Sequence, residues 1–247
     1  MRRIQALILL LVVAAAAGEG YAGGKDPGAV KKWKDEADLS FVSTSGNTSV
    51  TTLAGNNLLS YQFTEKSKGS WKIGALYGEE DGEKTAERYY TDLRFDRVIS
   101  GRFYAYGLGR WLRDTFAGFQ NRYSLGPGVG YRFFVGPKHF LLGEAGLNYT
   151  VEDYTDETSE DFVEGRVFGK YEYAFTDRNK FSQSLEFLYD FEESDNYKIV
   201  SETAFVSALS NYLSLKVAYK VRYNNRPRPS TLDKTDTILG AALVVTF

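Results

Sequence analysis

From Trp33 onward, apolar and polar positions alternate with a period of two in one segment after another. That spacing belongs to strands whose successive side chains point to opposite faces, one apolar and one polar. The clearest stretch sets Tyr123, Leu125, Pro127, Val129, Tyr131 and Phe133 against Arg122, Ser124, Gly126, Gly128, Gly130 and Arg132. Residues 141–151 repeat the pattern with Glu144, Gly146, Asn148 and Thr150 opposed, and residues 163–175 with Glu164, Arg166, Lys170 and Glu172. Phe181, Leu185, Phe187, Tyr189 and Phe191 oppose Ser182, Ser184, Glu186 and Asp190. Leu213, Leu215, Val217, Tyr219, Val221 and Tyr223 oppose Ser214, Lys216, Lys220 and Arg222. The last segment presents Thr235, Thr237, Leu239, Ala241, Leu243, Val245 and Phe247 on one face. Weaker segments near 34–43, 50–63, 70–78, 85–98, 102–112 and 197–209 bring the expected total to twelve strands. In 102–112, an apolar side of Phe103, Ala105 and Trp111 leaves Tyr104 and Tyr106 facing the glycines of the next strand, so that aromatics cover glycines.

Strand length and connection length then choose the environment. Several segments run eleven to thirteen residues, whereas strands of soluble sheets cluster at about five or six. A tilted strand needs about 9–11 residues to cross a bilayer. Short connections at 99–101, 134–138, 176–179 and 210–211 interleave with longer polar ones at 79–84, 114–120, 153–161, 192–196 and 224–234. Short turns at one rim and long loops at the other are the mark of a membrane barrel. The pattern predicts an all-β fold, a transmembrane up-and-down antiparallel β-barrel of about 12 strands spanning residues 33–247, with both termini at the short-turn rim. Phe63, Phe95, Phe103, Phe133, Phe140, Phe175 and Phe181 would form an aromatic girdle there. A soluble lipocalin-like barrel would turn its apolar face inward instead, and the strand length speaks against it.

The N-terminus supplies the compartment. Arg2 and Arg3 precede an apolar run over 6–17, and Gly20-Tyr21-Ala22 offers small residues for cleavage after Ala22. Residues 1–22 therefore read as a secretory signal peptide and 23–32 as a periplasmic lead-in. Twelve apolar residues reach only about 18 Å as a helix, short of the roughly 30 Å hydrocarbon core.

Composition narrows the chemistry. Eighteen Tyr and 24 Gly beside 5 Pro and 1 Met suit strands. With no Cys, thiolate metal centres, disulfides and a cysteine nucleophile are excluded. The one His, His139, follows Gly136-Pro137-Lys138 in a short turn, away from the long-loop rim where a catalytic centre would sit. Glu186 and Asp190 share a face, but four strand residues span about 13 Å, too far for a glycosidase pair. Gly126-Pro127-Gly128-Val129-Gly130 lies inside a strand with no helix after it, unlike a phosphate loop. Pro127 removes a ladder donor and predicts a bulge or widening. The loop acids Asp153, Asp156, Glu157, Glu160 and Asp161 suit divalent cations bridging lipopolysaccharide, although a solvated run is the commoner reading. No catalytic, cofactor or metal residue is assigned, and no enzyme activity or cofactor is expected. The net charge of −2 gives no reason to expect nucleic acid.

Three sequence elements carry a family resemblance. They are the turn Ser45-Gly46-Asn47-Thr48; the run from Arg113-Asp114-Thr115-Phe116-Ala117-Gly118-Phe119-Gln120-Asn121 through Gly126-Pro127-Gly128-Val129-Gly130-Tyr131-Arg132-Phe133; and Asn224-Asn225-Arg226-Pro227 with Lys234-Thr235-Asp236-Thr237 and the terminal Phe247. Together they resemble the YdiY-like family, described as salt-induced outer-membrane proteins and carried as domain of unknown function 481. The resemblance covers nearly the whole mature chain. It implies an outer-membrane barrel of a Gram-negative bacterium, in contact with lipid and lipopolysaccharide, and brings no defined substrate. The aromatic Phe247 on an amphipathic last strand resembles the assembly signal that the barrel-assembly machinery reads.

In a membrane barrel the polar set faces the lumen, and here its charges segregate along the chain. Strands four to six carry Arg88, Arg94, Arg110, Arg122 and Arg132, with Asp92 and Asp96 among them. Strands seven to ten carry Glu144, Glu152, Glu164, Glu172, Glu186, Asp190 and Glu202, interrupted by Arg166 and Lys170; strand eleven returns Lys216, Lys220 and Arg222. A wet lumen with these arcs would hold a transverse field and pass a small hydrophilic solute. A closed one would be an ion-paired plug in a structural or envelope-stress protein. The inward glycines Gly74, Gly78, Gly126, Gly128, Gly130 and Gly146 tilt the expectation toward open space.

Overall fold

The computed structural model describes residues 32–45, 50–80 and 83–247. The expected signal peptide, and all of the lead-in but residue 32, lie outside these. Among the described residues the strands are β1 (Trp33–Ser45), β2 (Val50–Thr64), β3 (Ser67–Glu80), β4 (Glu83–Ser100), β5 (Phe103–Asp114), β6 (Phe119–Val135), β7 (His139–Tyr154), β8 (Ser159–Ala174), β9 (Asn179–Asp190), β10 (Tyr197–Ala208), β11 (Leu213–Asn224) and β12 (Thr235–Thr246). Each pairs antiparallel with its neighbours in sequence, and β1 pairs with β12, from Glu36 opposite Thr246 to Ser45 opposite Thr237, closing the barrel. Lipid offers no partner for an exposed sheet edge, so closure is what satisfies the backbone.

The apolar face is outside. Leu125 is 70% exposed and Leu93 59%, with Leu147, Val167, Leu185 and Leu243 similarly bare. A surface this apolar is untenable in water over so wide an area and is what a hydrocarbon core requires. Aromatics mark the short-turn rim: Phe63 lies 6.0 Å from Phe95 between centroids, Tyr131 5.2 Å from Phe133, and Tyr173 4.8 Å from Phe175. Phe140 departs from the expected girdle. It shares the parity of Glu144 and stands opposite Glu172, on the inner face.

Irregularities gather at the rims, with register shifts at Gln62/Thr64, Gly78/Glu79, Val98/Ser100, Leu112/Asp114, Phe119/Asn121 and Arg132/Phe134. None falls at Pro127, where a bulge or local widening was expected. Pairing to β5 runs straight through Gly107–Pro127, while pairing to β7 lapses between Leu125–Tyr149 and Gly128–Gly146. The missing N–H leaves a gap in one ladder, and no extra residue is inserted. Strands also run past the membrane-crossing length. Glu79 pairs with Lys84 and Glu80 with Glu83, so the connection expected over 79–84 shrinks to two residues.

Candidate functional site

Alternation places every second side chain inside, and there the charges find each other across the interior. Arg166 on β8 donates from Nη1 to Glu144 at 2.8 Å and from Nε to Glu186 at 2.5 Å. Arg110 on β5 reaches the same Glu186 with two bonds of 3.0 and 2.9 Å. Arg94 on β4 makes two bonds to Glu144, at 3.1 and 2.7 Å, and holds Asp96 at 2.6 Å. The result is one chain of alternating charge that links β4, β5, β7, β8 and β9. Tyrosines complete it. The Tyr104 hydroxyl donates to Glu144 at 2.7 Å, and Tyr106 accepts from Arg166 at 2.8 Å with the Arg94 guanidinium 4.3 Å above its ring.

Toward the long-loop rim a second cluster forms on Arg122, which donates to Glu152 at 2.6 Å and Glu164 at 2.7 Å. Lys198 reaches Glu152 at 2.9 Å, Tyr154 donates to it at 2.5 Å, and Asn148 donates to Glu164 at 3.1 Å. Glu152 is 0% exposed, Glu164 2% and Arg166 3%. Charges so deep persist only when paired and hydrogen-bonded, because each unpaired one would cost several kcal/mol.

The pairs also report the shape of the barrel. Twelve strands about 4.8 Å apart, tilted about 40°, would close into a circle roughly 24 Å across. β5 and β11 are diametrically opposed in the strand order, yet Asp114 on β5 takes Arg222 of β11 at 3.4 Å together with Arg88 of β4 at 2.5 Å. Those two side chains span only about half the circular diameter, so the barrel is flattened where they meet. Asp114 also accepts the Ala117 amide at 3.2 Å, capping the 3-10 turn Thr115–Ala117.

Above this bridge the connection between β11 and β12 crosses the mouth. Asn225 donates to the Asp195 carbonyl at 2.8 Å, Arg226 pairs with Glu193, and Arg228 pairs with Glu160 while lying 5.1 Å over the Tyr154 ring. Gly118, at φ +88°, sits so close to the Arg228 carbonyl that any Cβ there would overlap it. The strap from 225 to 234 thus touches the β5–β6 and β7–β8 sides, opposite its own origin.

The remaining expected residues fall as follows. Lys216 and Lys220 share Glu202, at 3.0 and 3.3 Å; Glu172 is shared by Lys170 and Lys180, at 2.7 and 3.5 Å; Arg132 lies 5.0 Å over the Tyr104 ring. Asp190 turns away to cap the β9–β10 loop, accepting Glu192 and Glu193 amides and the Asn196 side chain. The expected transverse field is replaced by pairs that cancel locally, because Arg and Glu side chains bridge a flattened interior. The glycine stripe is not open space either. Tyr106 covers Gly128 and Gly146, Tyr104 covers Gly130, and Tyr90 and Asn56 cover Gly74. His139 stands at the short-turn rim with Nδ1 2.9 Å from the Tyr171 hydroxyl. The loop acids are drawn into local bonds, with Ser159 on Asp153, Thr158 on Asp156 and Tyr149 on Asp161.

Sequence reasoning undervalued Arg166, which it read as an interruption and which joins the two halves of the charge chain. It passed over Lys198, although its spacing from Glu202 marks it as inward, and it took Asp114 for a loop residue. No local signal reveals that Asp114 reaches β11.

A family model of proteins of unknown function, DUF481, matches residues 37–247. The chain belongs to that family. It is 28% identical over 224 residues to the uncharacterized protein YdiY of Escherichia coli (strain K12), covering 90% of this chain and 87% of that one. The NanC porin superposes with a TM-score of 0.60 at 6% identity, over 85% of this chain and 98% of the porin. An outer-membrane channel of Pseudomonas putida F1 superposes at 0.58 and 9% identity, over 91% and 99%. At such identities the likeness is one of fold: this member of the family is a closed β-barrel of porin-like form.

Proposed function

We propose that the protein is a narrow passive channel for small hydrophilic solutes in the outer membrane of a Gram-negative bacterium. The observation that carries this reading is the asymmetry of the interior. Opposite the charge chain, the inner positions of consecutive strands are small: Ser182, Ala204, Ala218 and Gly240 are register neighbours from β9 to β12, and Ala242, Ser40 and Ala54 continue from β12 to β2. We route the solute along this wall, where the inner side chains are shortest. Arg94, Arg110, Arg122, Glu144, Glu164 and Glu186 constrict its far side, and Arg88, Arg132, Glu172, Lys216, Lys220 and Arg222 line it. The charge chain and the strap keep the path narrow, so the conductance is small. We assign β12 with Phe247 to engagement by the barrel-assembly machinery during insertion, and the outer band to lipid and lipopolysaccharide.

Planar-bilayer recording of the refolded barrel tests the reading. We expect a small steady conductance that rises severalfold in Arg110→Ala, which frees Glu186 on one side. A barrel that refolds normally and stays silent in both forms would overturn it. The second reading, a closed structural barrel, draws its support from the cross-interior ion pairs. It gains if the silent barrel still protects cells against salt or detergent.

A further inference from the structure

Ion pairs crowd the middle of the interior and thin out at one end. In the short-turn half, inward cations stand around the whole ring: Lys34 on β1, Lys68 on β3, Arg132 on β6, Lys170 on β8, Lys180 on β9 and Lys216 on β11. Their counter-charges fall short. Asp96 is already held by Arg94, Glu202 is divided between Lys216 and Lys220, and Glu172 is divided between Lys170 and Lys180; Glu36 answers Lys34 at 2.7 Å. Lys68 and Arg132 form no ion pair among the described residues. Arg132 is nevertheless held in place, since Tyr104 lies under its guanidinium and is itself fixed on Glu144. Lys170 and Lys180 keep 39% and 45% of their side chains exposed, so they face water and not a sealed core. The turns below add Lys66, Arg102, Lys138 and Arg178 against Glu65 and Asp177.

The opposite rim has the reverse sign. The connections after β7, β9 and β11 carry Asp156, Glu157, Glu192, Glu193, Asp195 and Asp233 against Arg226, Arg228 and Lys234. The barrel is therefore polarised along its axis. Fixed charge of one sign inside low-dielectric walls focuses potential into the enclosed water. Guanidinium and ammonium groups spaced around such a ring suit an anion with more than one charged group, because each end meets a separate donor.

We propose that the short-turn end of the interior is an anion-binding vestibule that takes small solutes bearing two or more carboxylates. Where the barrel conducts, the vestibule makes it anion-selective. The inference deepens the channel reading and rests on it only for that second statement.

Citrate is the probe, with acetate for comparison, and Arg132→Gln/Lys170→Gln/Lys180→Gln the variant; retained heat-modifiable gel mobility establishes that it folds. Calorimetry on the detergent-refolded barrel should show citrate bound at least tenfold more tightly than acetate, and the variant should lose that difference. Under a potassium chloride gradient across a planar bilayer the reversal potential should report anion preference, moving toward zero in the variant. Citrate that binds no better than acetate, or equally to both proteins, overturns the vestibule even if the barrel conducts. A silent barrel whose citrate binding depends on the three residues overturns the channel reading and leaves the vestibule standing. If the triple variant misfolds, Lys180→Gln alone should weaken citrate binding severalfold, and no change there counts against the proposal.

Discussion

The wall from β4 to β9 and the wall from β10 round to β3 share one sheet, one alternation and one lipid face, but their interiors differ. The first is filled by long side chains that meet across it: Arg94, Arg110 and Arg166 on Glu144 and Glu186, with Tyr104 and Tyr106 laid over Gly130 and Gly128. The second presents Ala54, Ala204, Ala218, Gly240 and Ala242, and its cations crowd on Glu202. A barrel of this size can be filled or left hollow by side-chain choice alone. Here long charged side chains fill one wall and short ones line the other.

The sharpest way to break that division is to remove its hub. Arg166→Met leaves Glu144 and Glu186 each short of a buried partner and should cost about 3–5 kcal/mol, read from urea unfolding of the barrel refolded into vesicles. A loss under about 1 kcal/mol would mean that water reaches the site. Next comes the aromatic cover. Gly128→Ala puts a methyl group into the Tyr106 ring and should cost about 1–3 kcal/mol, a cost that should shrink when the same substitution is made in a Tyr106→Ala background. On the other wall the expectation inverts: Ala218→Leu should shift stability by less than about 0.5 kcal/mol while lowering conductance by half or more. A stability loss of the size expected at Gly128 would show that wall to be packed as well. Arg228→Gln, which cuts a partly exposed pair of the strap, should change stability by less than about 1 kcal/mol and speed protease cleavage within 225–234 severalfold. The smallest effect lies at the β7–β8 loop. The Thr158 hydroxyl and amide hold the Asp156 carboxyl below its usual range. Its contribution is present above the ordinary aspartate range and fades as pH falls through the lowered value. Asp156→Asn should flatten that shallow acid limb in the loop's protease resistance, bringing the neutral-pH value down toward the acid one.

Much of the fold was legible because alternation is a local property. Twelve strands, their order and the outward placement of Leu125 or Leu243 follow from period, length and turn spacing, each readable within a dozen residues. The pairing of Tyr104 and Tyr106 with the glycines of β6 was also visible, because β5 and β6 are adjacent and parity alone turns both sets inward. The candidate site was legible only to its first step. Parity turned Arg94, Glu144 and Glu186 inward, and nothing local said that Arg110 meets Glu186 four strands on. Pro127 and the end of β6 mark the same limit at smaller scale. A bulge at Arg132/Phe134 and an unpaired stretch of ladder are settled by how two strands fit, not by either strand alone.

The sequence by itself determined a closed antiparallel barrel with an apolar exterior and a charged interior, because strand parity and hydrocarbon thickness act on each segment separately. It also determined the sign of the two rims, since loop and turn charges need no partner to be counted. Only the tertiary structure decided that the barrel is flattened and that opposed arginine and carboxylate arcs cancel pair by pair. The flattening and the long-range pairs depend on the distance between strands three to six positions apart, which is set when the ring closes and buried charges settle within bonding reach of one another.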